Sequence, residues 1–319
     1  MSHLLELHDL EVKFALRTGD IIAIDGVDLT LDKGETLGLV GESGAGKSVT
    51  GFSIINLISK PGYISKGKII FDGEVISSFS DEKMREIRGN KISMIFQDPM
   101  MTLNPVFTIG TQMIETLLAH KNISKSEATK IALEKLQKVQ IPSPETRLDQ
   151  YPHELSGGMR QRIIIAIALL TDPQIIIADE PTTALDVTIQ AEIMDLLQEL
   201  CETDHMSLIL ITHDLAVVSQ VTEEIAVMYA GKIIESGATN EVISNPRHPY
   251  TKGLINSIPG SIKPGEKLQQ IPGMMPTLSK IPPGCAFNPR CLEKIGICET
   301  NIPEPKKTDV GTMASCHLI

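Results

Sequence analysis

Tryptophan is absent from this chain of 319 residues, and aromatic residues as a whole make up only 3% of it. With 42% of residues hydrophobic, the core must be aliphatic. Long apolar runs are also missing. The longest beside an expected helix, Ile163 to Leu170, is stopped by Thr171-Asp172-Pro173, well short of the roughly 20 residues a bilayer crossing needs. The opening Met1-Ser2-His3-Leu4-Leu5-Glu6 has neither the basic segment nor the apolar run of a signal peptide. Positive charge is in deficit, with a formal net charge of −11, which argues against a general nucleic-acid binder. Cysteines number only five. The expectation is a cytoplasmic chain with reduced thiols unless a metal holds them. Its length suits one large domain with an appendage, or two domains.

What is present centres on Gly41-Glu42-Ser43-Gly44-Ala45-Gly46-Lys47-Ser48. This matches the phosphate-binding pattern GxxxxGK[ST] at every fixed position. Thr36 to Val40 before it reads as a buried strand, and Val49 to Ile58 after it as a helix. A glycine turn that binds nothing has the same composition, but strand, turn and helix together are the context the motif needs. Glycines let successive N–H groups face a phosphate, and the helix turns its positive end to the same anion. Lys47 is expected at the β- and γ-phosphates and the Ser48 hydroxyl on Mg²⁺.

Along the chain, residues 4–14 and 21–31 alternate apolar and polar as half-buried strands do, around a turn at Arg17-Thr18-Gly19-Asp20. Phe14 in the first strand reads as a core aromatic or as a platform for an adenine ring. Gly67 to Gly73 ends in an Asp-Gly turn that predicts a hairpin. Lys91 to Phe96 reads as a buried strand ending at Gln97-Asp98-Pro99. Ile109 to Gln140 is helical in pattern, with a capping box at Ser124 and Glu127 and an apolar stripe of Ala128, Ile131, Ala132, Leu136 and Val139 that Pro142 ends. Leu155-Ser156-Gly157-Gly158-Met159-Arg160-Gln161-Arg162 opens a helix to about Leu170. Ile175 to Glu180 is an apolar strand ending in two acids, Thr188 to Leu200 a helix, and Leu208 to Ile211 a strand followed by Thr212-His213-Asp214. Cys201 reads as a small buried residue. From about Glu241 the chain turns rich in Pro and Gly and carries four of the cysteines.

Alternating strands and helices predict an α/β core with a mostly parallel sheet, whose ligands sit at the carboxyl ends of the strands. The P-loop, Gln97, Asp179-Glu180 and His213 all fall at such ends, which argues for one active site. Asp179 is expected to help hold Mg²⁺ directly or through water, and Glu180 to orient or deprotonate the attacking water. Gln97 is expected to touch Mg²⁺ or that water, and His213 to hydrogen-bond the γ-phosphate. Read alone, two adjacent acids at a strand end can be a solvated turn, Gln97 is an ordinary polar residue, and a lone histidine at a strand end is more often structural.

Together these motifs resemble the ATP-binding-cassette (ABC) ATPases. Residues 1 to about 240 carry the family's set in order: the aromatic A-loop position at Phe14, Walker A at 41–48, the Q-loop glutamine at Gln97, the signature at 155–162, Walker B at 175–180, Ala184-Leu185-Asp186 as D-loop with Asp186 its acid, and the switch histidine at His213. Phe14 stands where Tyr is commoner and Ala45 where Ser is frequent. The resemblance implies two cassettes head to tail, with Ser156, Gly157, Gly158 and Gln161 facing the ATP of the partner subunit. It implies an ABC-type P-loop ATPase fold with an N-terminal antiparallel β subdomain, a helical subdomain at about 100–165, and an irregular Cys-rich C-terminal extension at 241–319.

His248-Pro249-Tyr250-Thr251-Lys252-Gly253-Leu254 and Gly284-Cys285-Ala286-Phe287-Asn288-Pro289-Arg290-Cys291 resemble segments of the peptide-importer branch. Cys285, Cys291, Cys298 and Cys316 follow the pattern C-x5-C-x6-C-x17-C. That spacing is wide for a zinc knuckle, and the readings are a four-iron, four-sulfur (4Fe-4S) cluster, zinc, or reduced structural thiols. The resemblance implies an ATP-hydrolysing subunit that powers uptake of dipeptides or oligopeptides. It would pair with a second, related ATPase under two transmembrane permease subunits, at the cytoplasmic face of the membrane, with an extracytoplasmic binding protein delivering the peptide. The alternatives are the same mechanism with nickel, glutathione or an antimicrobial peptide as cargo, a non-transport ABC ATPase, or a metal-sensing regulatory ATPase.

Overall fold

The computed structural model of the chain describes residues 3–98, 102–183, 185–258 and 270–319. Met1, Ser2, Pro99 and the D-loop Ala184 lie outside the described residues. The chain divides into two compact units, Met1–Ser78 with Leu210–Ile319, and Phe79–Ile209.

In the first unit, β1 (Leu5–Leu16) and β2 (Gly19–Leu31) form the expected antiparallel pair. β3 (Thr36–Val40) is buried along its whole length and leads through the glycine loop into α1 (Lys47–Ile54). This helix stops before Ile58. Asn56 turns left-handed, at φ 51, a conformation asparagine tolerates at a helix end. The Asn56 N–H then bonds Ser53 O at 3.1 Å and the Leu57 N–H bonds Phe52 O at 2.8 Å, which closes the last turn. β4 (Gly62–Phe71) and β5 (Glu74–Val75) form the expected hairpin, with Asp72 at φ 49 and Gly73 at φ 78 in a primed turn. The strand order of this sheet is β2-β1-β4-β5.

The second unit contains α2 (Asp81–Ile87), β6 (Ile92–Ile95), α3 (Ile109–His120), α4 (Lys125–Lys138), α5 (Pro144–Leu148), α6 (Gly157–Ala168), β7 (Ile175–Asp179) and α7 (Val187–Asp204). The helical stretch expected over 109–140 is two helices. Ser124 caps the second, its Oγ accepting the Glu127 N–H at 3.2 Å, and Ala128, Ala132 and Leu136 form its buried stripe. Gln140 at φ 60 closes it, with Ile141 N–H on Leu136 O at 3.0 Å, so Pro142 follows a helix already ended. β6 and β7 pair in parallel, and β7 is buried at all five positions, as a strand covered on both faces must be. Cys201 is buried in α7 as expected.

β8 (Ser207–Thr212) carries the chain back to the first unit, which continues with α8 (Leu215–Val221), β9 (Glu224–Tyr229), β10 (Lys232–Ala238), α9 (Thr239–Ser244), α10 (Pro249–Asn256), β11 (Lys306–Lys307) and β12 (Met313–Ala314). Here the strands run in the order β11-β12-β10-β9-β3. The expectation of a mostly parallel sheet is corrected to a mixed one. β3–β9 is parallel, but β9–β10, β10–β12 and β11–β12 are antiparallel. The cause is local: Ala230 at φ 47 and Gly231 at φ 85 make a two-residue turn that can only join antiparallel strands. The C-terminal region is mostly coil, yet it adds β12 to β10 and a Ser315 N–H bond to Ile234 O at 2.8 Å.

Candidate functional site

The P-loop follows directly from β3. A Cβ on Gly41 would lie 2.2 Å from the Met228 carbonyl oxygen, so only glycine lets the loop pass this close to β9. Gly44 and Gly46 hold φ values of 82 and 109. Gly46 opens α1 without a side-chain cap, and the first turn of α1 has no acidic residue. The N-terminal end of α1 and its dipole therefore suit an anion. Ala45 is fully buried, its carbonyl accepting the Gly231 N–H at 2.8 Å. Lys47 is buried, and its Nζ donates to Gly41 O at 2.8 Å and Glu42 O at 3.1 Å. Ser43 and Gly44 are exposed, and Ser48 is half-buried. Phe14 is half-buried rather than in the core, and its ring lies over Gly62, where a Cβ would come within 2.8 Å of Phe14 Cε1. His213 is exposed just beyond β8, followed by Asp214, whose Oδ1 accepts the Ala216 N–H at 2.8 Å and caps α8.

Glu42 has partners that the motif does not specify. Its carboxylate is bound by both terminal nitrogens of Arg290, each at 2.9 Å, and its N–H donates to the Tyr250 hydroxyl at 2.9 Å. Tyr250 and Arg290 lie in the two C-terminal segments that the sequence marks as distinctive without assigning them a task. Behind them Tyr229, Tyr250 and Phe287 pack edge to face, with ring centroids 4.7 to 5.5 Å apart. The three are far apart in sequence, so nothing local announced that they would meet beside the P-loop.

In the second unit, Asp179 ends β7 and is only 2% exposed, while Glu180 follows at φ 45. Glu180 Oε2 accepts from Gln97 Nε2 at 3.0 Å and from Thr183 Oγ1 at 3.0 Å. Gln97 and Glu180 are thus brought together, a contact the sequence did not announce. Ser156 caps α6, its Oγ accepting the Met159 N–H at 3.3 Å. Gly158 faces Ile189, whose Cγ2 would be 3.0 Å from an added Cβ, and Gly157 faces Leu185 at 3.6 Å. Gln161 is buried, and its Nε2 finds no hydrogen-bond partner among the described residues. Asp186 is exposed at the start of α7.

The cysteines depart from the metal-site expectation. Cys285, Cys291, Cys298 and Cys316 are free, and Cys298 and Cys316 are buried. Among the described residues no three His, Cys, Asp or Glu side chains stand close enough to hold a metal ion. Burial pushes the thiols of Cys285, Cys291 and Cys316 up, and neighbouring cysteines push the same way. The arrangement as it stands does not fit a bound cluster, and no step is derived through one.

Residues 24–183 match the family model described as ABC transporter, and residues 234–298 the model described as Oligopeptide/dipeptide transporter, C-terminal region. The chain belongs to the ABC transporter ATP-binding family and is an ABC-type ATPase. It is 50% identical to the dipeptide transport ATP-binding protein DppD of Bacillus subtilis (strain 168), over 100% of this chain and 95% of that protein. It is 47% identical to the oligopeptide transport ATP-binding protein AppD of the same organism, over 100% of this chain and 97% of that one. Among solved structures it is similar to the dimeric, post-hydrolysis ATP-binding cassette MJ0796 bound to ADP and Pi, with a TM-score of 0.66 and 30% identity over 74% of this chain and 98% of that one. Among the described residues no helix is long and apolar enough to cross a membrane.

Proposed function

We propose that this chain is the ATP-hydrolysing subunit of an importer of dipeptides or oligopeptides. The observation that carries the reading is the pairing, in one chain, of the cassette match with the oligopeptide/dipeptide C-terminal match. Residues 1–240 would form the ATPase domain, with a helical subdomain at about 100–165, and 241–319 the importer-type extension. The subunit would sit peripherally at the cytoplasmic face of the membrane, pair with a second ATPase, and dock under two permeases that receive peptide from an extracytoplasmic binding protein.

Each candidate residue then has a task. Lys47 and the P-loop N–H groups bind the phosphates, and Phe14 stacks on the adenine. Ser48, Asp179 and Gln97 are the proposed Mg²⁺ ligands, and Mg²⁺ when bound neutralises phosphate charge. Glu180 accepts a proton from the attacking water, and His213 donates a hydrogen bond to the γ-phosphate. Ser156, Gly157, Gly158 and Gln161 serve the ATP of the partner subunit, beside Asp186.

The test is uptake in a deletion strain, using a labelled dipeptide, a longer labelled peptide and a nickel tracer. Loss of peptide uptake restored by the wild-type gene supports the reading. Intact peptide uptake with loss of nickel moves the cargo, and no change in any cargo favours a non-transport ATPase.

A 4Fe-4S cluster on Cys285, Cys291, Cys298 and Cys316 is a separate proposal. It rests on the C-x5-C-x6-C-x17-C pattern, and it requires the four thiols to draw together from the places they hold here. Anaerobically purified protein should then be brown and contain iron with acid-labile sulfide, whereas colourless protein, or protein holding zinc, rejects it.

A further inference from the structure

The P-loop carries a carboxylate, Glu42, inside a loop built to attract an anion. Left alone, that charge would repel a nucleotide phosphate. Arg290 neutralises it with a two-pronged pair at 2.9 Å on each side. The guanidinium is only 6% exposed. Its Nε donates to Pro272 O at 2.9 Å, and its terminal nitrogens reach Tyr229 Oη and Gly273 O at 3.4 Å. Every nitrogen of Arg290 is therefore committed, and the fork is set before Glu42 meets it.

Tyr250 fixes the same residue through the backbone. It is fully buried between Tyr229 and Phe287, and its hydroxyl accepts the Glu42 N–H. The carbonyl of Glu42 in turn accepts from Lys47 Nζ at 3.1 Å and from the Ala45 N–H at 3.2 Å. A continuous set of hydrogen bonds thus runs from the C-terminal region through Glu42 to the lysine.

We propose that Arg290 and Tyr250 are positioning residues for ATP binding, Arg290 by cancelling the Glu42 charge and Tyr250 by fixing the Glu42 backbone. The proposal rests on the nucleotide reading of the P-loop given above. A role of this kind changes KM and leaves turnover at saturation alone, because it acts on the loop that holds the phosphates. A purely structural role lowers the active fraction, and with it kcat, at unchanged KM.

The experiment uses the purified full-length chain, titrated with ADP and assayed for phosphate release. Arg290→Ala should raise KM for ATP and Kd for ADP about tenfold, within the range of coupling for a close pair, with kcat within about twofold of wild type. Tyr250→Phe should raise them less. Glu42→Gln added to Arg290→Ala should restore affinity to near that of Glu42→Gln alone, because the unpaired charge is gone. Melting curves accompany each variant, and Arg290→Lys, which keeps the charge but loses the fork, stands in if Arg290→Ala does not fold. Unchanged KM in the folded variants, a loss confined to kcat, or a double variant no better than Arg290→Ala overturns the proposal. Wild-type protein that takes up no nucleotide overturns the P-loop reading, and this one with it.

Discussion

Glu180 occupies a left-handed backbone position, φ 45, that a non-glycine residue rarely adopts. Gln97 and Thr183 hold its carboxylate there, both donating to Oε2. A glutamine at this position keeps an oxygen for the same two donors but cannot take a proton. Glu180→Gln should therefore fold and bind nucleotide as wild type does, while kcat for phosphate release falls about 10²- to 10⁴-fold, the usual contribution of a general base. Hydrolysis within tenfold of wild type would remove Glu180 from that role. The P-loop and the acidic strand end were legible because their residues are neighbours in sequence, and spacing alone sets their geometry. Arg290 was not legible. It stands 248 positions from Glu42, and nothing local to an Asn-Pro-Arg-Cys segment says what its side chain will meet.

At the scale of elements, the sequence predicted strands and helices better than it predicted their ends. Asn56 and Gln140 each close a helix by turning left-handed, a decision of one residue that apolar periodicity does not encode. The start of α10 shows the same economy with a titratable group. The buried Glu235 carboxylate accepts the N–H groups of Arg247 at 2.6 Å and His248 at 2.9 Å, and His248 Nδ1 accepts the N–H of Tyr250 at 3.0 Å. Burial first, and the Lys252 charge second, push the pKa of His248 down to about 4. An unfolded histidine titrates near 6.5. Between those values the unfolded chain holds a proton that the folded chain does not, so stability falls as pH drops through the window and is flat above it. The loss should reach roughly 3 kcal/mol at the acid end. His248→Asn offers an oxygen to the same N–H and does not titrate. The difference in melting temperature between wild type and His248→Asn should therefore shift against wild type from pH 6.5 to 4. A constant difference would show that another group sets the acid limit.

At the scale of the whole molecule, the C-terminal region shares a compact unit with the N-terminal sheet and the P-loop. The change of composition near Glu241 reads as a domain boundary, because it marks where periodicity stops. Packing is not visible in that signal. β12 pairs with β10, Glu235 facing Ala314 and Ser236 facing Met313. Tyr250 and Phe287 cover Tyr229, and Arg290 reaches the P-loop. A chain ending at residue 240 loses all of these at once. Three aromatic contacts at about 0.5–1.5 kcal/mol each, with Glu42 left unpaired, amount to about 3 kcal/mol before any area term. For a chain of this size that corresponds to a fall in melting temperature of about 5 °C. The full chain and residues 1–240 should be compared by calorimetry with and without ADP. The truncated chain should melt lower and gain less from ADP, since its loop is no longer held. Equal melting temperatures and equal stabilisation by ADP would mean that residues 241–319 are a separate module, and that the contacts to Glu42 contribute nothing to the nucleotide site.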